Sequence, residues 1–136
     1  MIEMKLDIAE RAARAALAKA ASIGTAMTVS VVDEAGRLVL TLKGDNTGFL
    51  TTETSRAKAF AAAAFRRSTR EMVEMQKSNP VFWTSVPAIS RGEALASTGA
   101  VPIVLNGRVI GAIGCGGGSP EQDDECARAG AAAVTG

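Results

Sequence analysis

Lys58 and Asp123 are the side chains whose types and settings suggest chemistry. Lys58 is the one charge inside the alanine-rich run from Ala57 to Ala64, and Asp123 follows the glycine-rich stretch Gly116-Gly117-Gly118-Ser119. A lysine facing a carboxylate can act as general acid and base in proton transfer on an oxo or hydroxy acid. A lysine alone can form a Schiff base with a carbonyl. The same pair serves equally as a structural ion pair, within the fold or across an interface, and a lone lysine can simply snorkel to the surface. Gly116 to Ser119 lead into an expected helix, where free backbone N–H groups form a nest suited to a carboxylate or enolate oxygen. Glu121, Asp123 and Asp124 already load the positive end of that helix dipole, and Lys58 is the cation that would offset them. Phe82 and Trp83 are expected either to cover a ligand, to plug an apolar gap or to meet a partner chain. Asp33 sits at a hairpin tip, as a ligand contact or a turn-stabilising carboxylate.

Composition prunes the alternatives. The 136 residues contain no histidine, which removes Ser-His-Asp and Cys-His relays and every His-ligated metal or haem site within the chain. Two cysteines, Cys115 and Cys126, are too few for a disulfide framework or a four-cysteine zinc site. No metal site is expected. Fifteen basic and fourteen acidic residues leave no field favouring nucleic acid or an anionic membrane. The start MIEMKLD lacks an apolar leader core, and no run approaches the roughly 20 apolar residues of a membrane span. A single cytoplasmic domain over 1–136 is the expectation.

The positioning elements follow from periodicity. Residues 6–23 read as a helix with Asp7 as N-cap and Ala9, Ala12, Ala13, Ala16 and Ala20 on one face. Residues 26–33 and 37–43 alternate as a hairpin whose first strand buries one face, with Gly36 in the turn. A helix capped by Thr51, Thr52 or Thr54 runs to about Arg67. It is apolar almost all round, so it lies between a sheet and a second layer, such as a neighbouring subunit. Ser68 or Thr69 caps a short helix. Residues 77–92 read as a long irregular loop, and 91–97 as a weak edge strand. Val101 to Leu105, a type I′ turn at Asn106-Gly107 and Val109 to Cys115 form a second hairpin, with Pro102 suited to an edge. Gly111 and Gly114 leave that last strand bare for a close neighbour, either a helix or a ligand. Ser119, Pro120 and Gln122 form the start of a capped helix continuing to about Val134.

The segments VSVVDEAGRLV, SRAKAFAAAAF, GAVPI and GRVIGAIGCGGGSPEQDDECA resemble the GlcG/HbpS-like family of small haem-degrading or haem-binding-type domains. The resemblance covers nearly the whole chain. It implies an α/β (α+β) fold, a profilin-like sandwich with an antiparallel sheet of about five strands and helices on both faces. It also implies a homo-oligomer, a dimer or higher. Cys115 stands where the family usually has Val, and Gly116 where it usually has Ser. That departure puts a thiol beside the glycine turn, as part of a specialised site or as a buried small hydrophobe.

Three functions compete at this stage. The first is a binding protein for a small planar or anionic molecule, a haem-type ligand included but without histidine ligation; no particular cofactor is implied. The second is a cofactor-independent isomerase, lyase or hydrolase acting in catabolism on a small oxo, hydroxy or aromatic acid, with Lys58, Asp123 and Cys115 as catalytic candidates. The third is an accessory subunit without a ligand.

Overall fold

Strand β1 (Thr28–Asp33) is buried along its whole length, on both faces. The computed structural model describes residues 2–134. In chain order they form α1 (Leu6–Ser22), β1, β2 (Leu38–Leu42), α2 (Thr51–Phe65), α3 (Thr69–Ser78), α4 (Pro80–Ile89), β3 (Ala100–Leu105), β4 (Arg108–Gly116) and α5 (Pro120–Ala132). The strands make one antiparallel sheet in the order β2-β1-β4-β3. Helices α1 and α5 cover one face and α2 the other. The sandwich with helices on both faces therefore holds, with four strands among the described residues rather than about five.

The missing strand is residues 91–97. Arg91 and Gly92 both take positive φ (58° and 79°), and the segment then docks on a helix, with Leu95 N donating to Ala57 O at 3.1 Å. Its backbone partner is thus α2 and not a sheet edge. The irregular loop expected over 77–92 is also corrected. It is the end of α3 and the whole of α4, which begins at Pro80, where a missing N–H costs no hydrogen bond. Trp83 and Val86 of α4 pack with Ala61 and Met72, and that burial outweighs the turn signal of Asn79-Pro80 and Val86-Pro87. This cluster is also the second layer over α2, supplied by the same chain.

Strand β1 was expected to bury one face only. Val29 and Val31 belong to the core beneath α1 and α5, whose floor is the alanine face Ala9, Ala12, Ala13, Ala16 and Ala20. Thr28 and Ser30 are buried as well, because each finds hydroxyl partners. Ser30 Oγ lies 2.7 Å from Thr41 Oγ1 and 2.8 Å from Ser55 Oγ, and Thr28 Oγ1 donates to Thr47 Oγ1 and lies beside Thr51 Oγ1, both at 2.9 Å. A polar alternate position thus reads as exposed in sequence but is satisfied inside.

Gly114 is bare because a helix needs the space. A Cβ there would lie 2.2 Å from Ser55 O of α2. Asn106 and Gly107, both at positive φ (53° and 77°), make the expected hairpin turn, and Pro102 lies on the edge strand β3. Two expected caps differ. Asp7 sits in the first turn of α1 behind the N-cap Lys5, and α2 follows the N-cap Leu50 without a side-chain cap, since Thr51 Oγ1 donates back to Gly48 O. Among the described residues no helix is long and apolar enough to cross a membrane.

Candidate functional site

Lys58 and Asp123 meet. Lys58 Nζ donates to Asp123 Oδ2 at 3.0 Å and to the carbonyl of Cys115 at 3.0 Å. The side chains are 9% and 5% exposed, so the pair is enclosed between α2, β4 and α5. Gly99 closes it. Its φ of +136° favours glycine, and a Cβ there would lie 2.9 Å from both Lys58 Nζ and Asp123 Cβ. Burial pushes the Asp123 carboxyl up from its ordinary range, against the pull of Lys58 and the Gly118 amide.

The glycine turn is filled from within. Gly118 N donates to Asp123 Oδ1 at 3.0 Å, Ser119 N to Gln122 Oε1 at 2.9 Å, and Gln122 N to Ser119 Oγ at 3.2 Å. The last two complete the expected capping box. The amides that read as a nest for a ligand's oxygen hold the chain's own carboxylate and amide. Gly116 is buried against Thr54, and Gly117 is exposed. Cys115 and Cys126 are free thiols, fully buried in the core under α1 and α5. Burial raises the Cys115 thiol well above its ordinary value, and raises Cys126 to about 11, with Glu125 and Asp123 adding to the latter. Phe82 and Trp83 stack with Phe65 at centroid distances of 5.0 to 6.2 Å, with Trp83 buried. Trp83 fills the gap between α2 and α4, while Phe82 stays 42% exposed at its edge.

An open groove lies elsewhere, on the α2 side of the first hairpin. It holds about 550 Å³ and is lined by Gly36, Arg37 and Leu38 of the hairpin, Arg56 and Phe60 of α2, and Glu93. Asp33 shapes it from behind. Its Oδ1 accepts from Ala35 N at 2.9 Å and Arg37 N at 3.0 Å, fixing the turn that presents Gly36 and Arg37. Gly36, at φ +79°, rests on the Phe60 ring; a Cβ would come within 2.7 Å of it. Arg56 Nη1 donates to Glu93 Oε2 at 3.1 Å, with side chains 26% and 51% exposed. A groove whose lining combines arginines with an aromatic residue suits a planar molecule carrying a carboxylate.

Sequence reasoning brought Lys58 and Asp123 together and missed Arg37, Arg56, Phe60 and Glu93. Arg56 and Phe60 lie four apart, on one face of a helix whose alanines drew attention to its buried sides. That spacing was the available signal. Glu93 is far off in sequence, and nothing local marks it.

A four-stranded antiparallel sheet with α1 and α5 behind and α2 in front defines the class of this protein. A family model described as haem degrading protein HbpS-like matches residues 4–132, and the chain belongs to this HbpS-like family. It is 31% identical over 118 residues to an uncharacterised 15.0 kDa protein of Citrobacter freundii encoded between dhaT and dhaS, covering 87% of this chain and 82% of that one. Among solved structures, a double mutant of HbpS from Streptomyces reticuli superposes with a TM-score of 0.86 at 31% identity, covering 96% of this chain and 86% of the other. A PduOC–haem complex shares the fold, with a TM-score of 0.86 at 24% identity and coverage of 96% and 94%.

Proposed function

We propose that this protein binds a small planar molecule carrying carboxylates, and that the ligand lies in the groove between Arg37 and Arg56, over Phe60. The observation that carries the reading is the groove itself. It is open, of ligand size, and its lining includes two arginines and an aromatic residue. Membership of the HbpS-like family makes a porphyrin the first probe. The residues fit the periphery of haem: the arginines suit its propionates and Phe60 its plane. They do not fit axial ligation by imidazole or thiolate, because the chain has no histidine and both thiols are buried. Binding therefore rests on the macrocycle and its carboxylates.

Absorbance titration with haem and with iron-free protoporphyrin IX tests this. Both are expected to saturate with affinities within about threefold of each other, and Arg56→Ala to weaken both by about tenfold or more, the worth of a charge-assisted hydrogen bond. Saturation by haem alone, or equal binding by Arg56→Ala, would overturn the reading. The enzyme alternative finds less support. Its proton-transfer pair, Lys58 and Asp123, is enclosed by Gly99, and Cys115 is a buried, protonated thiol. The same proposal includes a cytoplasmic homo-oligomer, for which exposed Phe49, Leu50, Val81 and Ile89 offer apolar surface.

A further inference from the structure

Arg56 already holds a carboxylate. Glu93 Oε2 accepts from Nη1 at 3.1 Å, on the rim of the groove, with half of the Glu93 side chain in water. The backbone beneath Glu93 is pinned on its C-terminal side, by Ala94 N to Ser90 Oγ at 3.1 Å and Leu95 N to Ala57 O at 3.1 Å. The guanidinium sits on a helix and the carboxylate on an anchored bend, so the side chain of Glu93 can leave without any backbone movement. Arg37, which also lines the groove, has no ion-pair partner within 4 Å among the described residues. Its place is set by Asp33, which is engaged with the turn amides.

We propose that Glu93 is a built-in competitor for the ligand, occupying Arg56 until an aryl carboxylate displaces it, and that it thereby trims the preference of the groove for a carboxylate over its neutral isostere. This rests on the groove being the ligand site. An exposed ion pair is weak, so exchange is cheap. An incoming carboxylate takes the Arg56 contact while its ring covers Phe60, and Arg37 supplies a second cation. A neutral amide gains the ring contact only and leaves the Arg56–Glu93 pair in place. Glu93 thus sets both affinity and selectivity without touching the ligand.

The test uses 2-naphthoate and 2-naphthamide, titrated into the protein while the backbone amides of Gly36, Arg37 and Leu95 are followed by NMR. In the wild type both probes are expected to shift these amides, the carboxylate binding more tightly. Glu93→Gln is expected to tighten 2-naphthoate by up to about fivefold, the worth of one exposed pair, and to leave 2-naphthamide unchanged. Arg56→Gln is expected to weaken 2-naphthoate by about tenfold or more and narrow the preference to what Arg37 supplies. If Glu93→Gln leaves 2-naphthoate unchanged, or shifts both probes equally, the competitor role falls while the groove stands. If neither probe moves these amides, the groove assignment itself falls.

Discussion

Two cation–carboxylate pairs lie on α2, two residues apart, and they do opposite things. Lys58–Asp123 spans 3.0 Å and Arg56–Glu93 spans 3.1 Å. The first is sealed by Gly99, with every oxygen of Asp123 engaged by Lys58 or the Gly118 amide. The second stands partly in water beside an open groove, Glu93 more so than Arg56. Helical geometry explains the contrast, since residues two apart on a helix face different sides. Lys58 points toward β4 and α5, and Arg56 toward the outer rim. Equal distances therefore conceal unequal chemistry. The sealed pair joins three elements of the fold, and the open pair can trade its carboxylate for another.

Stability separates the two most sharply. Lys58→Met removes one partner of a buried pair and leaves Asp123 uncompensated, so urea unfolding is expected to show a loss of about 3–5 kcal/mol. Arg56→Met removes an exposed pair and is expected to cost under about 1 kcal/mol. Similar losses for the two would erase the distinction.

A smaller effect concerns pH. Burial raises the folded carboxyl of Asp123 above its ordinary value of 3.8. Folded protein then holds this proton at pH values where the unfolded chain has released it. The contribution of Asp123 to stability therefore falls as pH rises from the unfolded value through the raised folded one, and is flat above it. Unfolding of wild type and of Asp123→Asn across pH 3.5 to 6.5 should reveal this, because the variant lacks that component. A difference between them that grows in favour of the wild type as pH rises would contradict the direction.

Much of the fold was legible because its signals are local. The alanine face of α1, the Asn106-Gly107 turn and the Ser119–Gln122 capping box each lie within a few residues, and each formed as the sequence suggests. Where long-range burial decided, sequence reasoning missed. Strand β1 hides Thr28 and Ser30 because partners arrive from residues 41, 47, 51 and 55. Helix α4 forms through Trp83 and Val86, whose partners lie on α2 and α3. The site follows the same rule. Charge balance at the head of α5 sufficed to pair Lys58 with Asp123. The groove is assembled from a turn, one helix face and a distant bend, so no single stretch displays it. Gly36 was read as a turn residue, while its contact with Phe60 appears only in three dimensions.

The central claim is that a ligand meets the open pair and not the glycine turn beside the sealed one. Intermolecular NOEs from iron-free protoporphyrin IX test this most directly, since no paramagnetic centre obscures them. The account predicts NOEs from the macrocycle to the Phe60 ring and to the Gly36 amide. NOEs to the Gly117 and Ser119 amides, with none to Phe60, would contradict it.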